Sequence, residues 1–333
     1  MLSETLYQAI EKELQRVVAL TRQPGLEEMH HMLAYHMGWE GEGAGPGARG
    51  KRIRPLLVLL SAAAAGGEWP EALPAAAAVE LIHNFSLVHD DIQDQSPLRR
   101  GRPTVWTKWG AAQAINAGDT LFTLAQMALL RLGETVSAEV ALRAAIVLQE
   151  SCLSLTQGQY MDLSYESRGN LTLEAYWPMV SGKTAALLAA CTQLGALAAQ
   201  ASDPVCRSYQ RFGKLLGLAF QALDDLLGIW GDAALTGKST ESDLLSGKKS
   251  LPVLYGLGKG GRFAARWTQG SITAADIPAL AAQLEMEGGR QFTLERANRL
   301  TDQALDALAE ASPHGEAGEA LTALAKKLLQ REA

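Results

Sequence analysis

Apolar residues recur at helical spacing (i, i+3, i+4) along almost the whole chain of 333 residues, and β-branched runs are scarce. Residues 3–22 form a predicted amphipathic helix, and the glycine-rich stretch 38–50 is a predicted loop. Pro55 lies near the first turn of the next predicted helix, where proline is tolerated. Helices poor in motifs are predicted over 260–333. The pattern therefore predicts an all-α protein.

The middle of the chain contains three stronger helix signals. Residues 74–94 are predicted to form a long, largely buried helix whose C-terminal end is acidic. Ser137 is a predicted N-cap for one helix, and Thr172 for another, since hydroxyl side chains accept free backbone N–H groups. Pro178 should kink the helix that Thr172 begins, because proline lacks the N–H that helix geometry needs.

Composition narrows the class of protein. At 47% hydrophobic residues the chain can bury a large core, and no linker divides it, so a single domain over 1–333 is predicted. A net charge of -6 provides no general attraction to nucleic acid or to anionic membranes. Cys152, Cys191 and Cys206 have no metal-site spacing and indicate reduced, buried thiols in the cytoplasm. The charged N-terminal helix is not a signal peptide, and no apolar stretch predicts an integral membrane segment.

Two acidic pairs each follow an apolar helical run. Asp90 and Asp94 share one helix face with Asp91 beside it, and Asp224 and Asp225 form the second pair. Two carboxylates about 4 Å apart repel by roughly 4 kcal/mol at an effective dielectric near 20, and a bound cation would remove that repulsion. Ligands that are all oxygen suit Mg²⁺ better than zinc. An exposed acidic helix end paired with arginines is the alternative, which the second pair disfavours.

Basic residues lie in four short segments: Lys51, Arg52 and Arg54 in GKRIRP, Arg99, Arg100 and Arg102 in RRGRPT, Lys183 in SGKT, and Lys238, Lys248 and Lys249 in 235–252. Each alone is typical of solvated surface lysine or arginine. Together with Mg²⁺-type carboxylates they indicate a substrate with more than one phosphate, or two phosphorylated substrates. The absence of a GxxxxGK[ST] sequence excludes a P-loop nucleotidase.

These blocks, in this order from about residue 50 to 255, resemble the trans-isoprenyl diphosphate synthases of the polyprenyl synthetase family. The blocks are GKRIRP, LIHNFSLVHDDIQD with RRGRPT, GQYMD, GKT, FQALDD and TGK with DLLSGKKSLP. The resemblance implies the isoprenoid synthase fold, a single-domain bundle of about ten to fourteen helices around a deep central cavity, usually as a homodimer. It also implies condensation of isopentenyl diphosphate with dimethylallyl, geranyl or farnesyl diphosphate.

The resemblance assigns roles to residues at matching positions. The metal ligands would be Asp90, Asp94 and Asp224, with Asp91, Asp225 and Asp162 as further candidates, for about three Mg²⁺ ions per site. Isopentenyl diphosphate would contact Lys51, Arg54, His83 and Arg100. The allylic diphosphate would contact Arg99, Lys183, Gln221, Lys238 and Lys248. The catalytic residues would be Lys183, Thr184, Gln221, Asp90 and Asp224, with Gln159 and Asp162 supporting the reacting region.

Two positions depart from the family pattern. Gly228 stands in place of the third aspartate of the second motif, so metal binding there must depend on Asp224, and Glu241 replaces a common glycine. His83 alone could be an ordinary core histidine, and its position seven residues before Asp90 is what favours a binding role.

The residues before the first acidic motif bear on product length. In the family these positions often set the depth available to the growing chain, and here they are Phe85 and the small Ser86. This combination resembles archaeal geranylgeranyl diphosphate synthases and predicts a C20 product, with a farnesyl (C15) product as the alternative. Phe85 could equally be a core aromatic. A terpene cyclase or a regulatory synthase subunit could also be built on the same scaffold.

Overall fold

The computed structural model describes residues 2–166, 168–231 and 243–329, and nearly all of their regular structure is helical. In chain order the described α-helices are α1 Leu2–Val18, α2 Glu27–His36, α3 Pro46–Arg49, α4 Ile53–Ala64, α5 Leu73–Gln93, α6 Val105–Trp109, α7 Ala111–Leu130, α8 Ala138–Glu166, α9 Leu173–Val180, α10 Ala186–Ala198, α11 Asp203–Trp230, α12 Leu251–Lys259, α13 Arg262–Trp267, α14 Ile277–Met286, α15 Gly289–Glu310 and α16 Gly315–Leu329. Short 3₁₀ turns lie at Ala19–Thr21, Trp69–Ala72, Arg131–Glu134 and Ala274–Asp276, and a π-helical turn lies at Ser181–Ala185. Strands β1 Leu98–Arg99 and β2 Arg102–Pro103 form an antiparallel ribbon. The predicted all-α class is confirmed.

The chain divides into two compact units, each assembled from separate stretches of sequence. Unit 1 comprises Met1–Gln149, Ala190–Arg207 and Ser312–Leu321, and unit 2 comprises Glu150–Ala189, Ser208–Ala311 and Thr322–Ala333. Four of the five boundaries fall inside α8, α10, α11 and α16, and the fifth lies between α15 and α16. The predicted single domain over 1–333 stays a prediction.

In unit 1, helix α5 is buried along most of its length. The four alanines at 75–78 are at most 1% exposed, and side chains this small let neighbouring helices approach closely. Helices α1, α4 and α7 pack against α5. Gly118 of α7 comes so near that a Cβ atom there would overlap the His89 ring. These contacts give the acidic end of α5 a defined position within unit 1.

In unit 2, a proline changes the helix that precedes the lysine at 183. Pro178 lies inside α9 and cannot donate a backbone hydrogen bond. The π-helical turn Ser181–Ala185 follows directly, before α10 resumes regular geometry. The α-helical pattern is therefore interrupted shortly after Pro178, and the predicted kink itself stays a prediction. The apolar core of this unit includes Leu244, Val253, Phe263, Leu280 and Leu284, each at most 3% exposed.

Helix starts and loops agree only in part with their predictions. The Ser137 cap is confirmed, since Val140 N–H donates to Ser137 Oγ at 3.3 Å. Thr172 is the N-cap residue of α9, as predicted, but its hydroxyl hydrogen-bonds the Glu174 carboxylate and accepts no backbone N–H. The helix predicted over 3–22 ends its α-helical part at Val18. The predicted loop 38–50 contains the short helix α3, and α2 was not predicted.

The three cysteines are unpaired and buried, as predicted. Burial raises the pKa of Cys152 to about 11, and burial raises the pKa of Cys191 to about 12. Both thiols therefore stay protonated at neutral pH. Among the described residues, no helix combines the length and the apolar character needed to cross a bilayer.

Candidate active site

The first acidic segment ends α5 in a C-capping motif that uses no glycine. Asp94 is the C-cap, and Gln95 adopts the left-handed conformation with φ 49°. Ser96 N–H donates to the Asp91 carbonyl at 2.9 Å, the hydrogen bond that defines a Schellman motif. Asp90 and Asp94 lie one turn apart at a helix end where the macrodipole already concentrates negative charge. This end of α5 therefore favours a bound cation.

Asp91 takes part in a buried ion pair. Its side chain is 2% exposed, and Arg99 donates from Nη2 at 2.7 Å and from Nε at 2.9 Å. Burial raises the pKa of Asp91, and the hydrogen bonds and charge of Arg99 only partly oppose it. Asp91 was predicted as a further metal ligand and Arg99 as a diphosphate contact. The structure joins these two side chains to each other.

The ribbon that follows α5 positions three arginines. Arg99 pairs with Arg102, and the two residues between them, Arg100 and Gly101, both have positive φ (53° and 73°), as a tight two-residue hairpin turn requires. Arg102 donates to three carbonyl oxygens within residues 35–42 at 2.6 to 2.9 Å. It therefore fastens the glycine-rich segment to the ribbon. Arg100 remains close to the start of α4.

Arg52, in the centre of GKRIRP, is neutralised inside unit 1. Its side chain is fully buried and forms ion pairs with Glu11 at 2.6 Å and Glu80 at 2.8 Å. Burial lowers the pKa of Arg52, but the carboxylates of Glu80 and Glu11 outweigh burial and raise the pKa. Neither glutamate was predicted. The available signal was a lone carboxylate, Glu80, within the apolar run of α5, because such a group needs a buried partner.

Arg54, His83 and Arg100 lie in one cation-rich region of unit 1. Burial, followed by the charges of Arg54 and Arg100, lowers the pKa of His83 well below its ordinary value. Burial and the charges of Arg99 and Arg100 lower the pKa of His36 to about 3. Burial is the larger cause of both shifts, and the arginine charges beside these histidines are what would attract an anion. His36 was not predicted, whereas Lys51, predicted for the same substrate, is exposed just before α4.

In unit 2, Asp225 organises the second acidic segment. Its buried carboxylate accepts hydrogen bonds from Tyr176 Oη at 2.8 Å, Leu251 N–H at 2.8 Å and Gln221 Nε2 at 2.9 Å. Burial raises the pKa of Asp225 to about 6. The neighbouring Asp224 is partly exposed. Asp225 therefore braces α11, and Tyr176 is a supporting residue that was not predicted.

The π-helical turn presents the next two predicted residues. Lys183 Nζ forms an ion pair with Asp162, and Thr184 Oγ1 donates to Gln221 Oε1 at 2.8 Å. Gln159 is buried one turn before Asp162 on α8. A small cavity of about 40 Å³ is lined by side chains that include Asp162, Tyr176, Lys183, Thr184, Gln221 and Lys248. The structure thus groups most of the predicted residues of unit 2.

Lys248 belongs to the same polar group. Burial lowers its pKa, but the carboxylates of Asp243, Asp225 and Asp162 outweigh burial and raise the pKa above that of free lysine. Lys248 is therefore a fixed positive charge among carboxylates. Lys238 and Glu241 lie outside the described residues.

Phe85 and Ser86 lie one turn before the first acidic segment. The Phe85 ring contacts Phe122 of α7 edge to face at 5.2 Å and the His89 ring at 4.9 Å. Ser86 Oγ donates to the His83 carbonyl at 2.8 Å. Phe85 is therefore held by aromatic neighbours, while the small side chain of Ser86 occupies little volume beside it.

The donor groups fit Mg²⁺ in type. Within the part of the chain that the structure describes, no three His, Cys, Asp or Glu side chains form a group that could hold a metal ion. Asp90 and Asp94 offer carboxylate oxygens from successive turns of α5, and Asp224 offers another from α11. Mg²⁺ commonly takes one or two carboxylates and fills its shell with waters and substrate phosphates. Asp90 and Asp94 in unit 1, and Asp224 in unit 2, are therefore candidate Mg²⁺ ligands within their own units.

Comparison with known proteins adds independent information. The model of the family described as "Polyprenyl synthetase" matches residues 46–269. A (2E,6E)-farnesyl diphosphate synthase of Mycobacterium tuberculosis is 42% identical over 315 residues, covering 92% of this chain and 87% of the relative. A geranylgeranyl diphosphate synthase of the same organism is 40% identical over 326 residues, covering 96% and 90%. A crystal structure of a polyprenyl synthetase from Streptomyces coelicolor superposes with TM-score 0.88 at 40% identity, covering 98% of each chain.

Proposed function

Since this chain belongs to the polyprenyl synthetase family and is a prenyltransferase, we propose that it extends allylic diphosphates with isopentenyl diphosphate to geranylgeranyl diphosphate. The two relatives from M. tuberculosis are both named as short-chain diphosphate synthases. The observation that carries the proposal is the cation-rich region around Arg54, His83 and Arg100. An enzyme that only ionised one allylic diphosphate would not need this additional anion site, so elongation is favoured over cyclisation.

The reaction breaks the C–O bond of the allylic diphosphate and joins the allylic carbon to the double bond of isopentenyl diphosphate. A proton then leaves, and the departing pyrophosphate can accept it. Bound Mg²⁺ supplies charge stabilisation to the leaving group. In the proposal Asp90, Asp94 and Asp224 hold about three such ions. Asp91, Asp162 and Asp225 support this arrangement through their ion pairs and hydrogen bonds.

Each remaining polar group has a proposed role that follows from its chemistry. Arg99, Lys183, Lys238 and Lys248 bind the allylic diphosphate, because fixed cations stabilise charge that grows on the leaving group. Lys51, Arg54, His83 and Arg100 bind isopentenyl diphosphate. Thr184 donates to Gln221, so the remaining lone pairs of the Thr184 oxygen can face a carbocation. Lys183, Thr184 and Gln221 thus support the ionisation.

The C20 product is supported by Phe85. Its ring is held against Phe122, where it can limit the space below Asp90, while Ser86 adds little bulk. Farnesyl diphosphate is the second candidate, because the farnesyl and geranylgeranyl synthases of M. tuberculosis are almost equally similar to this chain. Overall similarity therefore does not choose between C15 and C20.

A homodimer is also part of the proposal. Unit 1 exposes large apolar side chains on α7 and on the first part of α8: Ile115, Met127, Leu130, Leu142 and Ile146, between 45% and 70% exposed. Exposed apolar surface of this extent on two neighbouring helices is typical of a protein interface. A second copy of this chain is the proposed partner, and a cytoplasmic location is proposed from the unpaired cysteines.

The test is a product assay with isopentenyl diphosphate, Mg²⁺ and dimethylallyl, geranyl or farnesyl diphosphate, each supplied separately. A C20 diphosphate from all three primers would support the proposal, and a C15 product would correct the product length only. A hydrocarbon formed without elongation would identify a cyclase. No turnover with any primer would favour a regulatory subunit.

Phe85→Ala sharpens the same assay. Removing the ring should give products longer than the parent protein makes, because the space before Asp90 deepens. Phe292→Ala is the matched control, since Phe292 stacks on Tyr255 in unit 2 and has no proposed contact with the hydrocarbon. An unchanged product distribution for Phe85→Ala would make Phe85 an ordinary packing residue.

A further inference from the structure

Gly228 and Asp243 are in direct contact in unit 2. A Cβ atom on Gly228 would lie 2.7 Å from Asp243 Cγ and closer still to Oδ2. No side chain fits at position 228 unless the Asp243 carboxylate moves. The backbone of Gly228 is ordinary helix within α11, so space and not conformation requires glycine here.

The backbone holds Asp243 in this position. Its N–H donates to the Gly228 carbonyl at 3.1 Å, at the end of α11. Its own carbonyl accepts from Lys248 N–H at 3.0 Å and from Ser246 Oγ at 3.2 Å. Residue 243 is thus fixed on both sides, and its carboxylate is directed across the Cα atom of Gly228.

The two acidic segments become equivalent when this contact is included. On α5 the carboxylates of Asp90 and Asp94 are four residues apart and share one face. On α11 the residue four after Asp224 is Gly228, which has no side chain. The Asp243 carboxylate occupies the space that a side chain at 228 would take. A carboxylate therefore stands near the i+4 position of each segment, from the helix itself on α5 and from the following chain on α11.

The electrostatics of unit 2 place Asp243 in the same polar group. The Asp243 carboxylate is the first of the charges that raise the pKa of Lys248. Lys248 lines the small cavity together with Gln221 and Asp225, so Asp243 belongs to the polar group around the second acidic segment.

We propose that Asp243 supplies the carboxylate that DDLLG lacks, and that it completes with Asp224 the Mg²⁺-holding face of α11. The inference depends on the proposed function, because it concerns the metal of that reaction. Gly228 is then not a weakened motif. Because Gly228 has no side chain, it leaves the space in which the Asp243 carboxylate takes the same position. The competing explanation is that Asp243 only neutralises Lys248.

The experiment measures Mg²⁺-dependent binding of an unreactive allylic thiolodiphosphate by calorimetry, with thermal unfolding as a second measurement. Asp243→Asn keeps the shape and removes the charge, so the half-saturating Mg²⁺ concentration should rise about tenfold or more. Asp302→Asn, an exposed carboxylate on α15, is the matched control and should bind as the parent does.

Moving the aspartate from position 243 to position 228 provides the sharper test. Gly228→Asp alone should lower the melting temperature, because the new side chain overlaps the Asp243 carboxylate. Gly228→Asp combined with Asp243→Gly restores both space and charge, so melting temperature and Mg²⁺ dependence should return towards the parent values. If Asp243 only neutralised Lys248, the exchange would not be expected to restore the Mg²⁺ dependence.

Two results would overturn the inference alone: an unchanged Mg²⁺ requirement in Asp243→Asn, or an exchanged protein that needs as much Mg²⁺ as Asp243→Asn. If the parent protein shows no Mg²⁺-dependent binding of the analogue, the proposed function and this inference both fail. The two failures are therefore distinguishable.

Discussion

At the residue scale, neighbours in one motif serve different purposes. In GKRIRP, Arg52 is buried between Glu11 and Glu80, while Arg54 lies in the cation-rich region with His83. The difference follows from local geometry, because Arg52 has the left-handed conformation (φ 47°) and precedes α4. Its side chain therefore turns towards the core, whereas Arg54 begins the helix. Only one of these arginines is available to a substrate.

Arg52→Ala should destabilise unit 1 strongly. It would leave the buried Glu80 carboxylate without its charged partner, with only Asn84 Nδ2 donating to it at 3.1 Å, and losing one partner of a buried ion pair typically costs about 3 to 5 kcal/mol. Chemical denaturation followed by circular dichroism measures this loss. Lys51→Ala, at the exposed neighbour, is the control and should change the free energy of unfolding by less than about 0.5 kcal/mol. Equal stability of the two variants would contradict the importance of the buried ion pairs.

His36 makes stability depend on pH. Its pKa is about 3 in the folded protein, while an unfolded histidine takes up its proton near pH 6.5. The unfolded chain therefore binds the proton first as pH falls, so stability is present above about pH 6.5 and is lost below it. Between about pH 7.5 and pH 5, His36 should remove up to about 2 kcal/mol.

Denaturation midpoints at these two pH values test the effect of His36. His36→Gln should be less sensitive to acid than the parent, and His314→Gln, at an exposed histidine, should behave as the parent does. Parallel losses in the parent and His36→Gln would show that other groups cause the acid sensitivity.

At the element scale, short irregular elements position the chemistry. The two-residue turn of the β-ribbon directs Arg99 to Asp91, and the π-helical turn carries Lys183 and Thr184. The long helices supply rigid supports, and some of the residues with proposed roles, such as Asp94, Lys183 and Thr184, lie where helices end or change their period. These irregular segments need close packing around them. Gly158 allows that packing beside the π-helical turn.

Gly158→Ala should displace the π-helical turn. A Cβ atom there would lie 2.7 Å from the carbonyl carbon of Gly182 and nearer still to the Lys183 nitrogen, so backbone must move. We expect a loss of about 1 to 3 kcal/mol from overpacking, together with a fall in turnover. Gly258→Ala is the control, because this glycine of α12 has nothing within 4 Å and alanine favours helix. A melting temperature equal to that of the control would contradict the close contact.

At the scale of the whole molecule, the proposed homodimer depends on apolar side chains that remain exposed in the folded protein. Ile146 of α8 is 49% exposed in unit 1, beside the exposed apolar residues of α7. In a monomer these apolar side chains would be in contact with water, which is unfavourable. Pairing of two copies would cover the face.

Ile146→Lys should weaken the proposed homodimer by at least about tenfold in dissociation constant, because a charge would be placed in its proposed apolar interface. Sedimentation over a range of protein concentrations measures the change. Leu294→Lys, at an exposed leucine of α15, is the control and should leave the molar mass unchanged. The same association constant for both variants would exclude this face as the interface.

The sequence by itself determined the helical class, the family and the types of residue that meet diphosphates. Helical periodicity covers most of the chain, and the ordered motifs are recognisable without any knowledge of distances. Local rules also located Ser137 as a cap, because capping acts within a few residues.

Only the tertiary structure decided which charges are neutralised by other charges. Asp91 pairs with Arg99, Arg52 pairs with Glu11 and Glu80, and Asp225 is held by three donors. Likewise, the contact that places Asp243 over Gly228 joins two residues that are fifteen positions apart in the sequence, so helical spacing does not predict it. The physical reason is that burial and pairing depend on distances between segments remote in sequence, which a linear pattern does not contain.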